Sequence, residues 1–325
     1  MNGPELHRLH EIDFLKGVMI LLMVAFHLAW FADAHLYAKA VVYTFHMPVF
    51  LLISGYLWRT DRELNEQWRR WLWLFVPYAV MELGYVVMCF LLPVREHLSE
   101  LSVRTVAYHL IVHPLGPYWY FHTLLICQMV SYVFLRSNLG RSLFVNLLLI
   151  AVFLASMDRL VVFANAMYFL IGLLLRQSGT PFLKVFRPSL VSLLPFVWLM
   201  TDEAHLNRAT LGGMAITYFA VSLCLFVYQY SERRFPRSRF MLTMRLIGRN
   251  TLPILLFSPL FTLSVKPLAQ LLAFDPTRLL FALCGMAIAV AGSLAIALAM
   301  DRLRLSPYFF GKAQVVDLTP ISSLY

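Results

Sequence analysis

Charged residues are scarce in this sequence of 325 residues. Only 14% of the residues are Asp, Glu, Lys or Arg, whereas 60% are hydrophobic. A soluble globular domain carries about a quarter charged residues, so this composition excludes a soluble enzyme of ordinary type. It predicts an integral membrane protein instead.

Cysteine is scarce too. The four cysteines all lie within apolar runs, at Cys89, Cys127, Cys224 and Cys284. We therefore expect buried thiols and no disulfide framework. The histidines show no recurring tight ligand spacing, so we expect no metal cofactor. The first apolar run has no small-residue cleavage site, and we expect it to be retained.

Acidic residues are fewer than basic ones, 17 against 27, and the formal net charge is +10. In a membrane protein such an excess marks cytoplasmic loops, so nucleic-acid binding is not expected. Apolar runs predict an all-α polytopic bundle of about ten transmembrane helices. The ten apolar segments are residues 14–33, 38–57, 71–92, 118–135, 142–157, 160–175, 188–200, 210–229, 251–272 and 279–300.

The loops between these segments differ in charge. Twenty of the 27 basic residues fall on the side of the N-terminus, and seven fall on the other side. The positive-inside rule then places both termini in the cytoplasm and the chain in the inner (plasma) membrane. We expect residues 1–325 to form a single transmembrane domain, with residues 301–325 as a short cytoplasmic tail.

The first apolar segment carries two ionisable side chains, Lys16 and His27. They are eleven residues apart, so at about 100° per residue they share one helix face, about 16 Å apart along the axis. With Lys16 at the membrane surface, His27 lies near mid-membrane, where an ionisable group suggests function. A histidine that only hydrogen-bonds a neighbouring helix is equally compatible with this spacing.

The second apolar segment carries His46 two residues before Pro48. Proline bends a helix and frees a backbone carbonyl. Ser54 and Gly55 follow, and their small side chains favour close helix packing. Taken alone, these two residues indicate packing more than function.

These two segments together resemble the opening of the membrane acyltransferase-3 family. The resemblance rests on IDFLKG at 12–17, then His27, then FHMPVFLLISG at 45–55. In that family a basic residue precedes the first-helix histidine by eleven positions, and Ser-Gly follows on the second helix. GRNTL at 248–252 is similar to a later family motif. Where many members then have a histidine, this chain has Phe257, Ser258 and Pro259.

The resemblance implies transfer of an acyl group, commonly acetyl, from cytoplasmic acyl-CoA to a hydroxyl of a cell-surface or lipid-linked carbohydrate. His27 would be the general base, with an acyl-histidine relay as the less favoured variant. His46 would orient it or share the proton, and Ser54 would stabilise the oxyanion. Acetyl-CoA would be a co-substrate, and the partners would be this donor, the glycan and membrane lipid.

Several further residues are candidates for binding or catalysis. Lys16 would hold a donor phosphate or the pantetheine end. The basic loop 230–250 is a second possible phosphate site, although membrane topology and attraction to lipid headgroups explain its charge more simply. Glu82 interrupts the third segment and would orient a histidine or pair with an arginine. The candidate donor- and substrate-binding residues are Lys16, Asp13, Ser54, Trp119, His122, Arg249 and Asn250.

His122, beside Trp119, would line the acceptor side of a cavity or reach the outer headgroups. Trp119 fits an interfacial aromatic belt as well as a family motif. A proton-coupled transporter or flippase, with histidines as proton relays, is the alternative function. A non-catalytic membrane partner is the third possibility. The sequence does not decide whether the chain forms an oligomer.

Overall fold

The computed structural model describes residues 10–92, 96–137, 142–235 and 238–319. Four of the basic residues used for the topology prediction lie outside these ranges, as does the last part of the predicted tail, residues 320–325. The four are Arg8, Arg95, Arg141 and Arg237. All regular secondary structure in the described ranges is helical, as the composition predicts.

The described residues form sixteen α-helices, and two short 3-10 helices lie at Gly116–Tyr118 and Glu203–His205. In chain order the α-helices are α1 (His10–His27), α2 (Ala29–Ala32), α3 (Leu36–Leu57), α4 (Leu64–Leu91), α5 (Val103–Ile111), α6 (Trp119–Arg136), α7 (Leu143–Ser156), α8 (Phe163–Gln177), α9 (Phe182–Val185), α10 (Leu193–Met200), α11 (Leu211–Arg234), α12 (Arg239–Arg249), α13 (Thr251–Ser264), α14 (Leu268–Leu271), α15 (Leu279–Arg302) and α16 (Ser306–Phe310).

Each of the ten predicted apolar segments coincides with one of these helices or with two consecutive ones. Within the described ranges, α3, α4, α11 and α15 are long and apolar enough to cross a membrane. The pair α12 and α13, which is bent by 87°, would make a fifth span. The structure thus supports an all-α membrane protein, and the count of about ten spans stays a prediction.

The other predicted spans are charged, short or, as in α6 with its Trp, Tyr, His and Gln residues, less apolar. Helix α1 has 18 residues but carries Glu11, Asp13 and Lys16. Helix α7 has 14 residues, which at about 1.5 Å per residue is shorter than a hydrocarbon core of about 30 Å. Such helices cross a bilayer only with help from flanking residues or local thinning.

The first apolar segment is divided into two helices directly after His27. Leu28 adopts an extended conformation, with φ −76° and ψ 93°, before α2 begins. The imidazole of His27 is therefore the last side chain of α1. A break at this position lies next to the residue that the sequence marks as functional.

The chain separates into two compact units. The first comprises residues 1–50, 182–302 and 314–325, and the second comprises 51–181 and 303–313. Helix α3 contributes to both, with the boundary between Phe50 and Leu51. The candidate histidines His27 and His46 belong to the first unit.

In the first unit, α1 and α12 approach each other closely at two glycines. A Cβ atom on Gly248 would overlap the carbonyl oxygen of Asp13, and one on Gly17 would overlap that of Met244. Only hydrogen fits at these two positions, since backbone lies directly opposite. The contact brings Asp13 and Arg249 together.

In the second unit, the end of α3 packs on α8 in the same way, with a glycine of each helix opposite the backbone of the other. A Cβ atom on Gly55 would overlap the carbonyl oxygen of Phe169, and one on Gly172 would overlap that of Leu52. The close helix packing predicted at Ser54 and Gly55 is therefore confirmed for the glycine.

Candidate active site

His27 is oriented by its own helix. Its Nδ1 lies 2.6 Å from the carbonyl oxygen of Met23, one turn earlier. A carbonyl oxygen only accepts hydrogen bonds, so Nδ1 carries the proton and Nε2 keeps its lone pair. The residue is exposed.

His46 on α3 is held by the same kind of bond. Its Nδ1 lies 2.7 Å from the carbonyl oxygen of Val42. The residue is only 3% exposed, and its Nε2 has no hydrogen-bond partner in the described part of the chain. Arg208 lies within electrostatic range of this ring. His46 thus presents a second lone pair, and this one is buried, with the positive charge of Arg208 in range.

Tyr43 lies between the two imidazoles. The centre of its ring is 6.1 Å from that of His27 and 5.2 Å from that of His46. Its hydroxyl donates to the carbonyl oxygen of Phe26 at 3.2 Å, which ties α3 to the end of α1. Sequence reasoning missed Tyr43, although its position three residues before His46 places both on one helix face.

Lys39, one turn before Tyr43, adds a cation to this cluster. Its ammonium lies 5.7 Å from the centre of the Tyr43 ring and 3.4 Å from the carboxylate of Asp33. It also lies within electrostatic range of His27. Lys39 therefore places a positive charge beside the histidine pair.

The opposite end of α1 carries an ion cluster around Asp13. Its carboxylate meets the ammonium of Lys16 at 3.3 Å and the guanidinium of Arg249 at 3.1 Å. Arg249 also contacts Asp317, at 3.7 Å, and the hydroxyl of Thr319. The side chain of Lys16 is 19% exposed against 8% for Arg249, so Lys16 is the more accessible cation.

Asn250 holds the C-terminal segment against this cluster. Its Nδ2 donates to the carbonyl oxygen of Asp317 at 3.0 Å, and its Oδ1 accepts from the Asp317 amide at 2.8 Å. The Asp301 carboxylate accepts from the amides of Val315 and Val316. We call these bonds from Asn250 and Asp301 to residues 315–317 the clasp. No sequence pattern indicates it, and the Asn250 side chain is fully occupied by bonds to the backbone.

His10 opens α1 beside the same cluster. Burial lowers the pKa of the His10 imidazole, and the positive charges of Arg245 and Arg249 lower it further. The carboxylates of Asp13 and Glu11 act in the opposite direction, so this end of α1 carries a cluster of both charges.

Lys16 and His27 lie on one uninterrupted helix. The eleven-residue spacing therefore places the two residues on one face of α1, about 16 Å apart along its axis. The structure groups Lys16 with Asp13 and Arg249 at one end of α1, and His27 with His46 and Tyr43 at the other.

The remaining candidates lie in the second unit. The Ser54 hydroxyl is 2.7 Å from that of Tyr120, another residue that sequence reasoning missed. The Glu82 carboxyl is buried, and its Oε1 accepts from the Leu115 amide at 2.7 Å. Among the described residues, no histidine or arginine hydrogen-bonds Glu82, so the two partners that the sequence suggested are not observed.

Trp119 and His122 lie on the first turn of α6. The His122 Nε2 donates to the carbonyl oxygen of Ile111 at 2.7 Å, and the ring is 6% exposed. Trp119 is half-buried. The bond to Ile111 gives His122 a structural partner, and its predicted role on the acceptor side stays a prediction.

Comparison with protein families gives a match that covers nearly the whole chain. The family model described as an acyltransferase domain matches residues 9–298. No curated protein and no solved structure matches the chain. The matched region includes every candidate site residue predicted from the sequence.

Proposed function

Because the chain belongs to the acyltransferase-domain family, we propose that it is an integral membrane O-acyltransferase that moves an acyl group, in our proposal acetyl, from acyl-CoA to a carbohydrate hydroxyl. The acceptor would be a cell-surface or lipid-linked glycan. We further propose about ten membrane spans, an inner-membrane location and both termini in the cytoplasm, on the charge asymmetry of the loops.

One observation carries this proposal: two imidazoles share a site, and each has its Nδ1 hydrogen directed to a backbone carbonyl. The bonds are His27 to Met23 and His46 to Val42. Both Nε2 lone pairs are thereby set as bases before any substrate arrives. A general base needs this fixed tautomer, within hydrogen-bond reach of the proton that it removes.

In the proposed reaction, the Nε2 of His27 takes the proton of the acceptor hydroxyl as its oxygen attacks the thioester carbonyl carbon. The new C–O bond forms and the C–S bond breaks. The thiolate of coenzyme A leaves with the electron pair and takes the proton back from the imidazolium. Proton transfer of this kind contributes about 10²–10⁴-fold to a rate.

The donor would approach from the other end of α1. Lys16 is partly exposed and shares the Asp13 carboxylate with Arg249; in this proposal its ammonium binds a phosphate of coenzyme A. A separation of about 16 Å between Lys16 and His27 is compatible with a long pantetheine arm between them.

Mass spectrometry of surface polysaccharide from cells with and without the gene tests the proposal. We expect a mass difference of one acyl group per modified sugar. Cells that express His27→Ala at normal membrane levels should resemble cells without the gene. A glycan of unchanged mass, but altered in amount or location, would contradict acyl transfer and indicate a transporter.

A further inference from the structure

Four polar or aromatic side chains lie in the segments that follow the His27 end of α1 or contact those segments. They belong to α2 and the turn after it, to the first turn of α3 and to the position directly before α15. We call them the polar rim: Trp30, Asp33, Lys39 and Arg278.

The first half of the polar rim is an ion pair. Lys39 lies 3.4 Å from Asp33, with side chains 20% and 44% exposed. The pair is thus open enough to exchange bonds with a ligand. An exposed ion pair contributes little to stability, so folding alone does not explain a lysine held between Asp33 and the ring of Tyr43.

The second half is a stacked pair. The guanidinium of Arg278 lies 4.9 Å from the ring centre of Trp30 and donates to the Trp30 carbonyl oxygen at 2.6 Å. Both residues are half-buried. Trp30 follows His27 by three residues, across the break at Leu28, and Asp33 follows Trp30 by three.

Arg278 adopts a strained backbone conformation, with φ at +55°. A left-handed conformation is unfavourable for a residue other than glycine. Residues in such conformations concentrate at functional sites, where the surroundings hold them. At Arg278, the side-chain bond to Trp30 and the backbone bond to Asp275 hold the residue in place.

We propose that the polar rim binds the carbohydrate acceptor and determines which hydroxyl reaches His27; this rests on the proposed acyl transfer. A carboxylate accepts hydrogen bonds from sugar hydroxyls, and ammonium and guanidinium groups donate to sugar oxygens. An aromatic face covers the apolar face of a ring, and a few placed polar groups fix its orientation.

The charges of the polar rim select among sugars. It has two cations and one carboxylate, and Arg208 adds positive charge near His46. A protonated amino sugar meets a net like charge there, whereas an acidic sugar meets an opposite one. The acceptor is therefore an acidic or neutral sugar, in that order of affinity.

Binding of methyl glycosides to the purified full-length protein in detergent tests this assignment. The protein is titrated separately with methyl glucuronide, methyl glucoside and methyl glucosaminide, and binding is followed by tryptophan fluorescence. We expect affinity to fall in that order for the wild type. In Lys39→Gln the dissociation constant for the glucuronide should rise about tenfold, as expected for the loss of one charge-assisted bond.

The matched control is Lys266→Gln, since Lys266 is exposed and lies outside the rim. It should bind as the wild type does. Asp33→Asn keeps the size of the side chain and removes its charge. This variant should bind methyl glucoside more weakly than the wild type does, and it provides a test even if Lys39→Gln folds poorly. Wild-type affinity in both rim variants, tightest binding of the glucosaminide, or no binding of any glycoside would overturn the assignment.

Transfer of labelled acetyl groups to the same glycosides separates this assignment from the proposed function. Binding without transfer would contradict acyl transfer to such sugars while the polar rim stands as a sugar site. Transfer with an unchanged KM for the glycoside in both rim variants would contradict the assignment of the polar rim as the sugar site. The proposal of acyl transfer would be unaffected. In the expected result, that KM rises while the KM for acetyl-CoA stays as in the wild type.

Discussion

His46 has the same internal hydrogen bond as His27 but a different surrounding. His27 is exposed, whereas His46 is 3% exposed and has a buried Nε2 without a partner in the described residues. An unpaired buried nitrogen is costly unless it has a use. We interpret His46 as the residue that supports the base, through Tyr43 or directly through the acceptor.

His46→Asn tests this interpretation, because the Asn amide can still donate to the Val42 carbonyl but offers no basic nitrogen at the Nε2 position. We expect acetyl transfer to fall about 10²-fold, since acid–base assistance is typically of that size. The measurement is the initial rate with purified, correctly folded protein.

His35→Asn is the matched control. The His35 Nδ1 also bonds to the carbonyl four residues earlier, at 2.9 Å from Phe31, but His35 lies outside the histidine pair. The rate of acetyl transfer by His35→Asn should stay within about twofold of the wild-type rate. An equal loss in both variants would show that the hydrogen bond matters for folding alone.

At the residue scale, the sequence identified groups that an apolar helix should exclude. Lys16, His27 and His46 stand out for that reason. Tyr43 does not, since a tyrosine in an apolar run is ordinary. The partner of Glu82 was also beyond prediction, because a bond to the backbone amide of Leu115 leaves no trace in residue identity.

The helix pair α1 and α12 depends on Gly248. A methyl group there would overlap the Asp13 carbonyl oxygen, and overpacking of this kind costs about 1–3 kcal/mol. Gly248→Ala should therefore lower the thermal unfolding temperature and separate Asp13 from Arg249. Unfolding in detergent, followed by fluorescence, provides the measurement.

Gly84→Ala is the matched control for Gly248→Ala. Gly84 lies inside α4, and a methyl group added there would meet no described atom of a neighbouring element within 4 Å. Alanine favours a helix over glycine by about 1 kcal/mol, so this variant should be as stable as the wild type or more so. Equal destabilisation by both variants would contradict the close approach of α1 and α12.

The clasp on the C-terminal segment leads to a second prediction at the level of elements. Asn250→Ala removes two hydrogen bonds to Asp317, each worth about 0.5–1.5 kcal/mol. We expect residues 314–319 to become sensitive to protease while the rest of the chain stays resistant. Unchanged protection of this segment would show that Asp301 and Arg249 hold it without Asn250.

Helix positions followed from the apolar runs, because each buried or lipid-facing helix needs such a run. The bend of 87° between α12 and α13 and the clasp did not follow. Both depend on contacts between residues far apart in sequence, as between Asn250 and Asp317. A pattern within one segment carries no information about such a partner.

For the whole molecule, composition predicted a helical membrane protein, and loop charge predicted its orientation. The two compact units were not predicted. Their boundary falls inside α3, between Phe50 and Leu51, where the sequence is uniformly apolar. Nothing local marks a boundary that depends on which helices pack together.

Thiol labelling tests the ten-span topology. Single cysteines are placed in each loop between the ten apolar segments, in a chain without its four native cysteines, and labelled with a membrane-impermeant reagent. Alternate loops should react in intact cells, beginning with the loop after the first segment. Two consecutive loops on the same side would show that the helix between them does not cross the membrane.

Acyl transfer by this chain depends most on His27 as the general base. The most direct test is a single-turnover assay, in which purified protein in vesicles is mixed with radiolabelled acetyl-CoA and methyl glucuronide. We predict a labelled glycoside from the wild type and a rate about 10²–10⁴-fold lower from His27→Gln, with acetyl-CoA binding retained. Equal rates from the two proteins would contradict this role of His27.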